Sequence, residues 1–422
     1  MRSIGARAVR TVCAGGAAVI FVACCSCSGN SAYPGHVLVP GGSPPRSASP
    51  PGLRFSLSQI NNSFSGMSAL RPLAAIGKGS IAVLLPQTAA APRFAKYDAP
   101  YLAESFKNAG LKPSQYSVQM PPGSDQFKAA QIAIAKGARV LIVDTRSSGL
   151  GVQIESYAQA HGVPVIDYDW LTLGGTRKYF VGFDSLKVGA LLGEGLVNCV
   201  YAWRVKHPRI IVMDGANPTN NPSALYAPGY DAVLARQFPS GWKVVSNPPD
   251  TWNGTIALGE FRQQYVADKN INAALLPNDT VGFGIITYLQ SKGIEPWTFP
   301  TTGMDATQGG LQNILAGYQC GTIYKPIYRE AQAAAALAMY LRAGVGPPRA
   351  LVNGSVMDTT SNVSVPSVLV TPTWVTTANM NATVIADCLV LPAKLCAGIL
   401  KAACTTAGIP ASCPGTTRSA RS

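Results

Sequence analysis

Acidic and amide side chains follow a series of strand-like apolar runs along this 422-residue chain. The positions are Asp144, Asp169, Asp184, Asp214, Asn278 with Asp279, and Asp305. Because the carboxyl ends of parallel strands meet at one edge of a sheet, we expect several of these side chains to converge. Carboxylates and amides there can exchange paired hydrogen bonds with adjacent hydroxyl groups. The alternative for each position is a helix N-cap, a role for which Asp and Asn are preferred.

Three aromatic residues near this series could cover the apolar face of a bound ring: Phe94, Trp170 and Trp252. Each of them could equally belong to a hydrophobic core. A polyol such as a sugar would use both the polar and the aromatic groups. The sequence therefore indicates a small-molecule binding site without naming its ligand.

Strand-like runs alternate with helical patterns from Ser80 onward, which is typical of parallel sheets with crossover helices. The pattern restarts after Asp184, so we predict an α/β fold of two doubly wound parallel-sheet lobes with a ligand cleft between them. Residues 302–341 combine Asp305, a short strand ending at Tyr324, and Lys325-Pro326 before an alanine-rich helix. Pro favours the first turn of a helix, so this helix should begin there and return to the first lobe.

Catalysis has little support in the sequence. The three histidines, His36, His161 and His207, indicate neither a triad base nor a metal cluster. Neither a nucleophile elbow nor a phosphate-cradling loop is present. Paired Asp residues could serve a glycoside hydrolase, but carboxylates alone are weak evidence. We predict a protein that is not an enzyme, without cofactor or metal.

The formal charge of +14 is concentrated towards the amino terminus, because no Asp or Glu precedes Asp98. Nine of the 34 basic residues lie at or before Lys96, which leaves the remaining chain near +5. Nucleic-acid-binding proteins usually cluster Lys and Arg on one face. The surplus in the rest of the chain is modest and therefore gives little support for a nucleic-acid partner.

Residues 1–23 resemble an export signal, with Arg2, Arg7 and Arg10 before a short apolar run. The stretch ending at Cys24 resembles the lipobox of bacterial lipoproteins, so we expect lipid attachment at Cys24. Ordinary secretion with cleavage nearby is the alternative. Residues 24–56 are rich in Pro, Gly and Ser and are expected to form an extended tether.

Six cysteines lie beyond the export region, namely Cys199, Cys320, Cys388, Cys396, Cys404 and Cys413. An even number in an exported chain favours disulfides over metal ligands. We expect at least one bridge within 388–413, with the connectivity left open.

Seven stretches between residues 136 and 387 carry a resemblance to a known family. They are KGARVLIVD at 136–144, VPVIDYDWL at 163–171, YFVGFDSLKVGALLGE at 179–194, TNN at 219–221, LPNDTVGFG at 276–284, TTGMDATQGGLQNILAGYQCGTIYKPI at 301–327, and VPSVLVTPTWVTTANMNATVIAD at 365–387. In their order and spacing the chain resembles the periplasmic-binding-protein-like I family of solute receptors for ABC importers. Its D-xylose-binding branch is the most similar.

The resemblance implies two lobes joined by a three-strand hinge. We assign the first lobe to residues 78–183 with 326–358, the second to 184–325 with 365–387, and a Cys-containing tail to 388–422. The crossings are expected near Asp184, near Tyr324-Lys325, and between about Val356 and Pro366. Hinge closure around a ligand would follow.

The resemblance also implies which side chains face the cleft. Together with the strand-end residues, the candidate ligand-binding set is Arg93, Phe94, Lys96, Asp144, Asp169, Trp170, Asn220, Asn221, Trp252, Asp279, Met304, Asp305 and Lys325. Two positions depart from the family's pentose receptors, which tend to have Arg at Trp170 and Gln at Met304. An aromatic ring and a thioether reduce hydrogen bonding and add apolar contact. The ligand is then either less polar than a free pentose or recognised differently.

The function implied is a monomeric, lipid-anchored receptor on the outer face of a bacterial cell membrane. It would bind a sugar or polyol by hinge closure and deliver it to an ABC permease. A sugar sensor that presents its ligand to a membrane signalling protein is one alternative, and a carboxylate-dependent glycoside hydrolase is another. The export signal argues against a transcription regulator of the same fold.

Overall fold

The computed structural model describes residues 53–87, 93–122, 125–145, 147–213, 226–246 and 253–414. All of them belong to one compact unit, Arg46–Ser422. The predicted export signal, Cys24 and most of the predicted tether lie outside the described residues, as do Asp214, Asn220, Asn221 and Trp252.

A seven-stranded sheet forms the first lobe. Its strands are β1 (Ser80–Leu84), β2 (Tyr116–Gln119), β3 (Ala138–Val143), β4 (Val165–Tyr168), β5 (Tyr179–Phe183), β10 (Gly354–Asp358) and β11 (Val363–Val370), in the order β10-β11-β5-β4-β3-β1-β2. All neighbours are parallel except β10 and β11. The helices are α1 (Arg71–Ile76), α2 (Ala99–Asn108), α3 (Gln126–Ala135), α4 (Ser148–Ala160) and α10 (Ile327–Arg342).

The central strands β1, β3, β4 and β5 are buried along most of their length because helices cover both faces of the sheet. Ile81 and Val83 point into a core that includes α2 and α10. Ala82 and Leu84, which alternate with them, point into a second core with α3 and α4. The alanines of α10 let this helix pack closely on the sheet, and almost all of it is buried.

Shorter sheets form the second lobe. The three-stranded parallel sheet has the order β7-β6-β8, and β9 pairs antiparallel with β12. The elements are α5 (Ser185–Ala202), β6 (Ile210–Met213), α6 (Ala227–Gln237), β7 (Lys243–Ser246), α7 (Gly254–Ala267), β8 (Ala273–Leu275), α8 (Asp279–Ser291), α9 (Gln308–Leu315), β9 (Thr322–Tyr324) and β12 (Thr373–Val375). Isolated bridges from Ala274 to Thr301 and from Met304 to Ile323 extend the ladder between the two sheets. The predicted α/β fold with two parallel-sheet lobes is therefore confirmed.

The chain passes between the lobes at three places. It does so at Asp184, between β5 and α5, and at Lys325-Pro326, between β9 and α10. The third crossing lies between β11 and β12, at residues 371–372. This corrects the expected crossing between Val356 and Pro366 and the expected start of the second lobe at 365. Strand β11 pairs with β5 along Ser367–Val370, and Val368 is buried in the first-lobe core.

The chain is packed from the first described residues onward. Phe55 is fully buried, and its backbone N–H donates to the Tyr340 hydroxyl at 3.3 Å. Met67, Leu70 and Leu73 join the same core. The tether predicted to end at residue 56 therefore ends earlier, because the side chain of Phe55 is already buried in the first-lobe core.

Three disulfides link cysteines of the described residues, namely Cys199–Cys320, Cys388–Cys413 and Cys396–Cys404. The expectation of at least one bridge within 388–413 is confirmed. The tail contains two short helices, α11 (Pro392–Leu395) and α12 (Lys401–Thr406), and it packs on the second lobe through Leu395 and Cys404. Within the described ranges, no helix combines the length and apolarity needed to cross a bilayer.

Candidate functional site

Asp169 and Asp305 have the same unusual backbone geometry in different lobes. Asp169 directly follows β4 with φ of 59°, and Asp305 follows the bridge at Met304 with φ of 89°. Their backbone N–H groups donate to the carbonyls of Val181 and Ile323, each at 2.9 Å. Left-handed backbone at a non-glycine residue costs on the order of 1–3 kcal/mol and clusters at functional sites. Asp tolerates it better than most residues do.

Arg93 connects three carboxylates of the first lobe. Its Nε and Nη2 donate to the two oxygens of Asp98, at 3.0 and 2.8 Å. Its Nη1 donates to Asp169 Oδ1 at 3.1 Å, and Nη2 also donates to Glu330 Oε2 of α10 at 3.1 Å. The Tyr168 hydroxyl donates to Asp98 Oδ1 at 2.6 Å. The guanidinium is thus held in one orientation from several sides.

Burial and charge act in opposite directions on Arg93. Burial lowers the pKa of its guanidinium, but Asp169, Asp98 and Glu330 outweigh burial, so the pKa lies well above its usual value. For Glu330, burial raises the pKa well above the usual carboxyl range, and Asp169 adds to this effect. Arg93 therefore stays cationic, whereas burial disfavours the charged form of the Glu330 carboxyl, which Arg93 partly offsets.

Lys325 connects the two lobes electrostatically. Its Nζ lies 3.3 Å from Asp305 Oδ1 and 5.9 Å from the centre of the Phe183 ring. Burial lowers the pKa of Lys325, whereas Asp305, Tyr226 and Asp169 raise it, and the net shift is upward. Asp169 and Asp305 belong to different lobes. The Lys325 ammonium at the crossing therefore interacts electrostatically with one carboxylate from each lobe.

Tyr226, at the start of α6, belongs to the same cluster. Burial raises the pKa of its phenol, Lys325 opposes this, and Asp169 and Asp305 add to it. The structure thus brings Arg93, Asp169, Asp305 and Lys325 together between the lobes. Such an arrangement presents carboxylate acceptors and cationic donors to a small polar ligand.

Comparison with known proteins identifies the family to which this chain belongs. The model of the periplasmic binding protein domain matches residues 81–345. The chain belongs to the periplasmic binding protein family.

Relatives of this binding protein include the D-xylose-binding periplasmic protein of Escherichia coli, which is 31% identical over 278 residues, covering 64% of this chain and 80% of that protein. The multiple sugar-binding periplasmic receptor ChvE of Rhizobium radiobacter is 26% identical over 327 residues, covering 73% of this chain and 90% of the relative. The expected family resemblance is confirmed. The chain is accordingly a binding protein rather than an enzyme.

Solved structures of similar fold include a carbohydrate transporter solute binding protein from Chloroflexus aurantiacus in complex with D-glucose. It has a TM-score of 0.65 and 22% identity, and the match covers 75% of this chain and 98% of the other. The Caulobacter myo-inositol binding protein has a TM-score of 0.55 and 19% identity, with 73% of this chain and 97% of the other covered. At this identity the likeness shows the fold alone.

Two predicted ligand contacts of this binding protein are buried. Phe94 is 3% exposed and packs in the first-lobe core. Met304 is 2% exposed and packs with Ile210 and Ile323 in the second lobe. Contact of either side chain with a ligand stays a prediction. Trp170, beside Asp169, is half-buried.

The carboxylate of Asp279 is hydrogen-bonded within the second lobe. It accepts hydrogen bonds from Gln319 Nε2 and Thr322 Oγ1, both at 2.9 Å, and from the backbone and hydroxyl of Thr307 at 2.7 and 3.1 Å. Burial raises its pKa to about 7, although these hydrogen bonds oppose the shift. Asp279 therefore supports the loop that carries Asp305, and its contact with a ligand stays a prediction.

The remaining predicted residues have different surroundings. Asp144 is buried at the end of β3, and its backbone carbonyl accepts a hydrogen bond from Gln126 at 2.9 Å. Lys96 is exposed, with its ammonium 4.9 Å from the centre of the Tyr97 ring. Asp184 and Asn278 cap α5 and α8 by accepting from the N–H groups of Lys187 and Val281. At these last two positions the helix-cap alternative is correct.

Sequence reasoning missed several members of the cluster, namely Asp98, Tyr168, Phe183, Tyr226 and Glu330. One signal was available for Glu330, which is the only acidic residue in the alanine-rich helix α10 and is fully buried. A buried acid usually has a charged partner. Within the described residues, no cluster of His, Cys, Asp or Glu could hold a metal ion.

Proposed function

We propose that this protein captures a sugar or sugar-like polyol between its two lobes. The observation that carries the proposal is that Asp169 of the first lobe and Asp305 of the second both act on Lys325 at the crossing. A ligand that contacts both carboxylates stabilises one arrangement of the lobes. The names of the relatives, which include D-xylose-binding and multiple sugar-binding proteins, support a sugar as that ligand.

Each group in the cluster suits a ring with hydroxyl groups. Asp169 and Asp305 accept hydrogen bonds from adjacent hydroxyls, and Arg93 and Lys325 donate to ring or hydroxyl oxygens. In this proposal the side chain of Trp170, which is half-buried beside Asp169, contacts the apolar face of the ring. We therefore propose a sugar that presents a more apolar face than a free pentose.

The wider role that we propose is delivery. The three crossings allow hinge closure, and a membrane permease recognises the closed form, so the ligand shifts a population of conformations. We further propose that the protein acts as a monomer, anchored through a lipid on Cys24 at the outer face of the cell membrane. Cys24→Ser would then release it from the membrane fraction into the soluble fraction, whereas Cys27→Ser would not.

The test of the ligand is isothermal titration of the purified protein against a panel of pentoses, hexoses and polyols. We expect saturable binding of at least one member with one site per chain. Absence of binding across the whole panel would overturn the proposed sugar. Uptake of the bound sugar by cells with and without the gene would then separate transport from sensing.

A further inference from the structure

The segment of residues 386–389, at the start of the C-terminal tail, contacts both lobes. The carboxylate of Asp387 accepts a hydrogen bond from the Tyr324 hydroxyl at 2.9 Å and another from the Tyr328 hydroxyl at 3.3 Å. Tyr324 ends β9 in the second lobe, and Tyr328 lies in the first turn of α10 in the first lobe. One side chain thus holds the residues on either side of the crossing at Lys325-Pro326.

Two further contacts reach the first lobe from this segment. The Tyr97 hydroxyl donates to the Leu389 carbonyl, and Asn62 Nδ2 donates to the Ala386 carbonyl, both at 3.5 Å. Tyr97 lies between Lys96 and Asp98, in the turn that follows Arg93. All the contacts with the first lobe are near the long end of the hydrogen-bond range, so each is individually weak and easily broken.

The same segment is firmly attached to the second lobe. Val384, Ile385 and Val390 are buried in the core that contains α9. Cys388 is linked to Cys413, and Gln312 of α9 donates to the Lys394 and Leu395 carbonyls at 3.3 and 3.4 Å. Residues 386–389 therefore move with the second lobe, and only their contacts with the first lobe can open when the lobes rotate.

We propose that residues 386–389 are a latch that sets how readily the two lobes separate. Rotation at Lys325-Pro326 pulls the Tyr328 hydroxyl away from Asp387, while the contact between Tyr324 and Asp387 travels with the second lobe. The latch thereby stabilises the arrangement with closely placed lobes whether or not a ligand is present. It lies outside the ligand cluster and does not depend on which ligand the cleft takes.

The experiment compares two hydroxyl deletions on the same acceptor. Tyr328→Phe removes only the contact between lobes, and Tyr324→Phe, the matched control, removes only the contact within the second lobe. The full-length protein carries a dye pair at Ile132 of α3 and Val266 of α7, both exposed, introduced through non-natural amino acids so that the disulfides stay intact. Single-molecule energy transfer without ligand then reports the distance between the lobes.

We expect Tyr328→Phe to change the ratio of close to separated lobes by about three- to tenfold, as for the loss of one hydrogen bond. Tyr324→Phe should leave the ratio unchanged. An unchanged ratio in Tyr328→Phe overturns the latch, and so does an equal change in both variants, which would show general loosening of the second lobe. Asp387→Asn serves as a second variant and should shift the ratio in the same direction as Tyr328→Phe.

Discussion

Asp169 and Asp305 are related by position as well as by charge. Each has a left-handed backbone directly after a strand segment, and each donates its N–H to the neighbouring strand at 2.9 Å. Their side chains are 17% and 33% exposed, so both remain accessible at the boundary of their lobe. We therefore propose that the two lobes present equivalent carboxylates to one ligand.

Removal of either charge should weaken ligand binding. Asn keeps the shape of Asp and tolerates left-handed backbone, so Asp169→Asn and Asp305→Asn isolate the effect of charge. A hydrogen bond to a charged group contributes about 1.5–3 kcal/mol, which predicts a loss of affinity of roughly 10- to 100-fold. Asp305→Ala should weaken binding at least as much, because it also leaves donors unpaired.

Titration calorimetry measures these affinities, with Asp231→Asn as the control. Asp231 is paired with Lys243 at 2.7 Å on the surface and is half exposed. Unchanged affinity in Asp305→Asn and Asp305→Ala would place Asp305 outside the site.

Loss of the Arg93 charge should destabilise the first lobe. In Arg93→Gln the buried carboxylates of Asp98 and Glu330 lose their shared partner, and breaking a buried ion pair costs about 3–5 kcal/mol. Arg209→Gln, which breaks the solvent-screened surface pair with Asp268, should cost far less stability. Urea unfolding of the two variants measures the difference, and equal stability would contradict the assigned network.

Asp279 should make stability depend on pH. Its pKa is raised to about 7 in the folded protein, against about 4 in an unfolded chain. The folded state therefore binds the proton more tightly. The corresponding stabilisation is fully present below the unfolded pKa and is lost as the pH rises through about 7, with a slope of at most about 1.4 kcal/mol per pH unit.

Urea unfolding between pH 4 and 8 measures this slope. Asp279→Asn should reduce the slope in that range, whereas the surface variant Asp231→Asn should retain it in full. A slope that is the same in Asp279→Asn and in the parent protein would show that another group titrates.

Gly189 permits the close approach of α5 and α6 that positions Tyr226. A methyl group at Gly189 would overlap the Tyr226 carbonyl oxygen, so Gly189→Ala must displace the start of α6. We expect a loss of stability of about 1–3 kcal/mol and weaker ligand binding. Gly259→Ala in α7 meets no atom within 4 Å and should be neutral or stabilising by up to about 1 kcal/mol.

Thermal unfolding measures the stability of both glycine variants, and titration calorimetry measures their ligand affinity. The comparison separates the effect of the steric overlap at Gly189 from the effect that replacing Gly by Ala has on any helix. Equal behaviour of the two would show that α6 adjusts without moving Tyr226.

The order of the elements was determined by the sequence itself. Runs such as residues 139–144, apolar on both faces, indicate strands covered by helices on two sides, and Pro326 marks the start of α10. The acids and amides after the strands narrowed the site to a few positions, among which Asp169 and Asp305 lie in the cluster between the lobes. These properties are local, so periodicity and residue type are enough to predict them.

The tertiary structure alone decided which of those side chains meet. Phe94 and Met304, which the sequence predicts as ligand contacts, are each buried in a core. Strand β11 joins the first sheet, although its sequence fits either lobe, and Glu330 reaches Arg93 across 237 residues. Such relationships depend on strand order and on how each helix is rotated against its sheet. Both are set by packing between segments distant in the chain, and no local pattern records them.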